Sequence, residues 1–96
     1  MKTEYQNSII LKLKKIRLEN EYSQKNIADI LGISPGQLGN IESPIAPNKY
    51  TLKQIFALCN HFNTPIEDIF IEKRDLNTEN NLVNLLITKI IKYGDR

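Results

Sequence analysis

Residues 23–43, SQKNIADILGISPGQLGNIES, decide the fold because they predict two short helices joined by a tight turn. Ser23 is placed to cap the first helix, and Gly32 stands where a left-handed residue ends a helix at little conformational cost. Ser34 is placed to cap the second helix, with Pro35 at its first helical position. Helices of about two turns do not hold together alone. The rest of the chain must therefore supply a core.

The second helix presents one face outward. At 100° per residue, Leu38 and Ile41 point inward, while Gly36, Asn40 and Ser43 point away. A DNA major groove about 12 Å wide accepts a helix with small or amide-bearing side chains on that face, and an asparagine pairs bidentately with adenine. A merely solvated helix face is the alternative. The spacing of the two helices favours DNA.

The chain carries a series of short motifs between about Leu13 and Phe70. They are Ile16-Arg17, Ser23-Gln24, Ile27-Ala28, Leu31-Gly32-Ile33-Ser34, Leu38, Ile41-Glu42, Thr51-Leu52, Phe62 and Pro65-Ile66. Together they resemble the helix-turn-helix regulators of the Cro and phage-repressor type, often called the XRE family. The resemblance implies an all-α fold, a five-helix lambda-repressor-like helix-turn-helix domain, to which this chain adds a C-terminal helix. It also implies that helix 34–42 is the recognition helix in the major groove.

The resemblance also implies roles for single residues. Gln24 would bind a phosphate at the start of its helix, and Arg17 with Glu42 would form a partly buried ion pair between the first and third helices. The candidate DNA-binding residues are Gln24, Lys25, Ser34, Pro35, Gly36, Gln37, Gly39, Asn40, Ser43 and Lys49. Two features depart from the family pattern. Glycines stand at 36 and 39, where many relatives have side chains that reach bases, and the following loop is SPIAPNKY.

Length and composition limit the other possibilities. Ninety-six residues are enough for one modest hydrophobic core. A net charge of +2 does not by itself indicate a nucleic-acid partner. The single cysteine, Cys59, lies on an apolar helix face and is interpreted as a core residue in a reducing cytoplasm. No apolar run is long enough to span a membrane. His61 has no partner at metal-ligand spacing, and we expect neither a cofactor nor enzymatic activity.

The flanking segments are predicted from periodicity and caps. Residues 1–7 carry no pattern and are interpreted as a frayed leader, with the first helix running from about Ser8 to Asn20. Thr51 and Gln54 predict the start of a fourth helix, and a capping box of Thr64 with Glu67 predicts a fifth. Residues 71–80 are predicted to be a polar linker.

The C-terminal helix carries an apolar stripe too broad for one face. We therefore predict that it packs on its own domain and also on a second copy of the chain; the alternative is that it only completes the monomer core. The chain then divides into a DNA-binding domain, 1–71, and a linker with dimerisation helix, 72–96. The predicted dimer interface comprises Leu82, Val83, Leu86, Ile87, Ile90 and Ile91.

The sequence thus predicts a dimeric, cytoplasmic, sequence-specific regulator that binds double-stranded DNA, expected to act as a repressor. The alternative is a protein-interaction module, such as an antitoxin that binds a toxin partner through its C-terminal helix. An enzyme is the least supported class, because the chain has one histidine, no glycine-rich phosphate loop and no nucleophile beside a base.

Overall fold

The computed structural model describes residues 1–77 and 81–94, with no account of the Asn77 side chain. The described residues form six α-helices and a short 3₁₀ helix, which confirms the predicted all-α fold with its additional C-terminal helix. The elements are α1 Glu4–Glu19, α2 Gln24–Leu31, α3 Pro35–Glu42, α4 Leu52–His61, α5 Ile66–Phe70, the 3₁₀ helix Lys73–Asn77 and α6 Leu82–Gly94. Residues 78–80 of the predicted linker and residues 95–96 lie outside the described residues.

The N-terminal segment is not a frayed leader, so that prediction was wrong. Helix α1 begins at Glu4, four residues before the predicted start. The Thr3 hydroxyl accepts the Gln6 N–H at 3.0 Å, and the Gln6 side-chain oxygen accepts the Thr3 N–H at 2.9 Å. This capping box starts a helix without any apolar periodicity. Tyr5 and Gln6 are then buried beneath the helices that follow.

One hydrophobic core joins all six α-helices. Its largest fully buried side chains include Ile9 of α1, Ile27 of α2, Leu38 of α3, Ile55 of α4, Phe70 of α5 and Tyr93 of α6. Cys59 is buried in the same core, in agreement with its interpretation as a core residue. The two short central helices are therefore held in place by side chains from both ends of the chain.

Helix α5 begins differently from the prediction. Pro65 is its N-cap and no side-chain cap bond forms, so the predicted capping box of Thr64 with Glu67 is wrong. The cause lies at the end of α4. Asn63 adopts a left-handed φ of 51°, and the Thr64 N–H donates to the Cys59 carbonyl at 2.9 Å. Thr64 thus completes the C-terminal motif of α4 and is not the cap of α5.

Helix α6 packs on the core along one side only. The Tyr93 hydroxyl donates to the Tyr50 carbonyl at 2.8 Å, and the Gln6 amide donates to the Tyr93 carbonyl at 2.7 Å. Leu86 and Ile90 are half-buried against the core. The other side of the helix exposes 51–66% of four apolar residues, Leu82, Val83, Ile87 and Ile91.

None of the helices in residues 1–77 and 81–94 combines the length and apolar character needed to cross a membrane.

Candidate nucleic-acid interface

Local capping fixes the turn between α2 and α3. Ser23 caps α2, and Gly32 ends it with a φ of 69°. The Ser34 hydroxyl accepts the Gln37 N–H at 3.1 Å, and the Gln37 side-chain oxygen accepts the Ser34 N–H at 2.9 Å. The predicted caps of both helices are therefore present. Because they act within four residues, the helix-turn-helix geometry is encoded locally.

Helix α3 has the outward face that its periodicity predicts. Leu38 and Ile41 are buried, whereas Gly36 and Asn40 are exposed and Ser43 is half-buried. The Asn40 side-chain amide makes no hydrogen bond with any described residue, and the Lys2 ammonium lies 3.5 Å from the Asn40 backbone carbonyl. Asn40 is therefore free to offer both a donor and an acceptor to an adenine edge.

Gln37 is less available than Asn40. Its side-chain oxygen is held in the capping box, so a bidentate contact with a base would require that hydrogen bond to break. Ser34 and Pro35 are exposed at the same end of α3, and Gly39 is half-buried beside the outer stripe. Of the two amide side chains on this helix, that of Asn40 has no partner among the described residues, whereas that of Gln37 has one.

A buried ion pair fastens the C-terminal end of α3 to α1. The Arg17 guanidinium makes two hydrogen bonds to the Glu42 carboxylate, at 2.8 and 2.9 Å, and a third to the Tyr22 carbonyl at 2.9 Å. The Arg17 and Glu42 side chains are only 9% and 3% exposed. A bidentate pair of this kind fixes direction as well as distance. It therefore limits rotation of α3 relative to α1.

Gln24 adds α2 to this assembly. Its side-chain nitrogen donates to the Glu42 carboxylate at 3.0 Å, and its side-chain oxygen lies 3.7 Å from the position of a Cβ on Gly39. The side chain that the resemblance assigns to a phosphate thus also makes a hydrogen bond inside the protein. That bond uses one of the two N–H groups of the amide, so only the second can donate to a phosphate while the contact with Glu42 is kept.

The two candidate lysines differ in their surroundings. Lys25 is exposed and pairs with Asp29 at 3.2 Å, a surface contact that contributes little and leaves the ammonium accessible to a phosphate. Lys49 lies against α6, with its ammonium 3.4 Å from the Tyr93 carbonyl and 5.5 Å from the centre of the Tyr93 ring. Lys49 is half-buried, so its ammonium is less accessible than that of Lys25.

Lys2 is a residue of this region that sequence reasoning missed. Its ammonium donates to the carbonyls of Ile41 at 2.7 Å and Ser43 at 2.6 Å, at the end of α3. The side chain is buried, and burial lowers the pKa of Lys2 from its ordinary value. The available signal was the spacing of Thr3 and Gln6, which marks a helix start immediately after Lys2.

No cluster of histidine, cysteine, aspartate or glutamate within the described ranges is arranged to hold a metal ion.

Comparison with known proteins agrees with this geometry. A family model described as helix-turn-helix matches residues 13–69, which is more than half of the chain and includes α2, α3 and α4. No curated protein and no solved structure matches the chain.

Proposed function

Because the chain belongs to the helix-turn-helix family of Cro and phage-repressor type, whose members are DNA-binding regulators, we propose that it is a repressor that binds its operator as a dimer. In this proposal α3 lies in the major groove of each half-site. Residues 1–71 bind DNA, and residues 72–96 bring two copies together.

The exposed, unpartnered side chain of Asn40 is the observation that supports the base-contact part of the proposal. It is exposed at the centre of the outward face of α3, and its amide has no partner among the described residues. The ion pair and the buried Leu38 and Ile41 hold the backbone that bears it. A fixed backbone with a free amide is what bidentate base contact requires.

The remaining candidates divide by chemistry. Gln37, Gly36 and Gly39 lie on or beside the face that would approach the bases. Backbone and side-chain contacts to phosphate would come from residues at the helix starts and from the two lysines, namely Gln24, Lys25, Ser34, Pro35, Ser43 and Lys49. Such contacts set the position of the protein on the duplex, whereas base contacts set its selectivity.

The proposed dimer rests on the exposed side of α6. Leu82, Val83, Ile87 and Ile91 form an apolar stripe beside the half-buried Leu86 and Ile90. A contiguous apolar surface of this kind marks an interaction site in a soluble protein. Two copies related by a two-fold axis would place two α3 helices on half-sites about 34 Å apart.

Dimerisation would also supply selectivity that one α3 lacks. Each good bidentate pair discriminates between bases by about 1–3 kcal/mol. One recognition helix with a single free amide therefore distinguishes few sequences. A second copy doubles the free energy by which the correct sequence is preferred.

In-vitro selection from random double-stranded DNA tests the base contact. The selection is run at about 0.15 M salt on the wild type, on Asn40→Ala and on Asn60→Ala, which removes an exposed amide from α4. We expect an inverted repeat with half-site centres about 10 base pairs apart. Asn40→Ala should relax one position in each half, and Asn60→Ala should not. The base-contact proposal fails if Asn40→Ala selects the same sequence as the wild type.

Sedimentation of two variants of α6 tests the dimer. Ile87→Glu places a charge in the apolar stripe, and Thr88→Glu places the same charge on the next exposed residue. We expect Ile87→Glu to sediment as a monomer and to lose tight binding to the full operator, while Thr88→Glu remains a dimer. A wild type that is monomeric at the concentrations where it binds the full operator contradicts the proposal.

The exposed stripe also keeps the antitoxin alternative open, because a toxin partner would use the same apolar surface. A groove of about 420 Å³ between α5 and α6, with Leu76, Leu82, Val83 and Leu86 in its lining, adds to that surface. A stoichiometric protein partner that binds wild type but not Ile87→Glu, without DNA, would favour this second function.

A further inference from the structure

Lys2 lies at the C-terminal end of the recognition helix. Its ammonium donates to the carbonyl oxygens of Ile41 at 2.7 Å and Ser43 at 2.6 Å, with Asn40 at 3.5 Å. The last carbonyls of a helix have no partner inside the helix. Lys2 therefore satisfies groups that α3 leaves open.

Helix α3 has no C-terminal device of its own to replace this contact. Three helices, α1, α2 and α4, end at left-handed residues, Glu21, Gly32 and Asn63, whose backbones fold back to satisfy the last carbonyls. Helix α3 instead ends at Ser43 in an extended conformation, and its last turn contains no basic residue. The positive charge that stabilises the negative C-terminal end of this helix is instead the Lys2 ammonium, from the N-terminal segment.

The segment that carries Lys2 is itself firmly anchored. The capping box of Thr3 starts α1 directly after Lys2. The Tyr5 hydroxyl donates to the Phe70 carbonyl at 2.6 Å, and the Gln6 side chain donates to the Tyr93 carbonyl at 2.7 Å. Lys2 thus connects the end of α3 to a framework made of α1, α5 and α6.

Lys2 has no part in a direct DNA contact. Only 6% of its surface is exposed, and its ammonium is surrounded by backbone carbonyl oxygens. A phosphate cannot reach an ammonium buried in this way. Any effect of Lys2 on DNA binding must therefore act through the position of α3.

We propose that Lys2 is a positioning residue for DNA recognition, whose ammonium fixes the last turn of α3 and so sets the direction of the Asn40 side chain. The inference rests on the proposed function, because it takes Asn40 as the residue that contacts a base. It extends the DNA-binding machinery to a residue outside the family-matched segment 13–69. Loss of the ammonium should lower selectivity at the base pair that Asn40 contacts and leave phosphate contacts intact.

The test measures affinity for the selected operator, and for the operator with the Asn40-dependent base pair changed, over a range of salt concentrations. Lys2→Met removes the ammonium and keeps an apolar stem. Lys25→Met is the matched control, because it makes the same change at an exposed lysine. We expect Lys2→Met to weaken operator binding about tenfold, to lose the preference for the Asn40-dependent base pair and to keep the wild-type salt slope. If Lys25 contacts a phosphate in each half-site, Lys25→Met should lower the slope of the dimer by about 1.8, or about 0.9 per contact, without changing the preference.

A double-mutant cycle separates positioning from general destabilisation. All measurements are made well below the thermal midpoint of each variant. In the Asn40→Ala background, Lys2→Met should produce little further loss, because the side chain that it positions is absent. Equal losses in both backgrounds would overturn the proposal, as would a lower midpoint with unchanged affinity and preference. A salt slope that falls by about 1.8 in Lys2→Met, or about 0.9 per half-site, would identify a phosphate contact instead.

Failure of the proposed function can be distinguished from failure of this inference. It would appear as equal base preference in the wild type and in Asn40→Ala, a comparison that does not involve the Lys2 variants. If Lys2→Met does not fold, Lys2→Gln takes its place with the same expected results. Its neutral amide keeps a donor without the charge.

Discussion

Replacing Gly36 by alanine separates two explanations for the glycines of the recognition helix. One explanation is crowding inside the protein, and the other is close approach of α3 to the bases. A Cβ on Gly36 has only the Ser34 hydroxyl oxygen within 4 Å, at 3.9 Å, and the φ of Gly36 is not positive. The methyl group therefore fits the folded chain without strain. Crowding inside the protein does not explain this glycine.

The expected effects on stability and on binding have opposite signs. Alanine loses less backbone entropy on folding, so Gly36→Ala should raise the free energy of unfolding by about 0.4–1 kcal/mol. For a domain of this size the thermal midpoint rises by roughly 2–8 °C. In the proposed complex the same methyl group stands between the α3 backbone and the base edges. Displacing one bidentate contact costs about 1–3 kcal/mol, which corresponds to at least about a fivefold rise in Kd.

Thermal unfolding and fluorescence anisotropy with the selected operator measure the two effects. Gly94→Ala is the control, since its Cβ would have nothing within 4 Å and it lies at the end of α6. We expect the control to leave DNA affinity unchanged. If Gly36→Ala is more stable and binds the operator as tightly as wild type, close approach is not the reason for this glycine. If Gly36→Ala is less stable, the steric argument itself is wrong.

Three further outcomes test the protein without DNA. Arg17→Ala leaves its partner carboxylate buried without a cation, so the free energy of unfolding in urea should fall by about 3–5 kcal/mol, and a fall below about 1 kcal/mol would contradict this. A hydrogen bond from the Glu72 backbone N–H, assisted by Lys89, lowers the pKa of Asp75 against the opposing effect of burial. This stabilisation is present above the unfolded pKa of about 3.9 and is lost as the pH falls through the lower folded pKa. The thermal midpoints of wild type and Asp75→Asn should therefore differ at neutral pH and converge in acid; a constant difference would refute the assignment. Burial raises the pKa of the Cys59 thiol, so a thiol reagent should label the native chain slowly and the urea-unfolded chain rapidly, and equal rates would show that the thiol is exposed.

The central part of the fold was predictable because its signals are local. Ser23, Gly32 and Ser34 act on backbone groups within about four residues, and the 3.6-residue period places Leu38 inside and Asn40 outside. Such interactions depend little on the rest of the chain. The sequence therefore predicts both helix boundaries and the exposed face of α3.

The spacing of Thr3 and Gln6 is a local signal for the start of α1, but the long-range contacts of the N-terminal segment were not predictable by the same means. Lys2 and Gln6 find their partners 39 and 87 residues away, at Ile41 and Tyr93. Spacing along the chain carries no trace of contacts so distant. At the start of α5, two local motifs compete for Thr64, and in the structure its N–H bonds to the Cys59 carbonyl at the end of α4.

The same limit applies to the candidate site. Exposure of Asn40 follows from periodicity. The internal partners of Gln24 and Lys49, in contrast, depend on how α3 and α6 pack on the other helices. Sequence reasoning identifies polar side chains near the interface but does not tell which of them the protein already uses for its own folding.

The contact of Lys2 with α3 involves main-chain oxygens alone. Every amino acid supplies the same carbonyl, so the support is indifferent to the side chains of the helix that it holds. Gly36 and Asn40 are thus open to replacement without loss of that brace. The arrangement suits evolutionary or engineered retargeting, in which the bases recognised change while the scaffold that aims the helix stays the same.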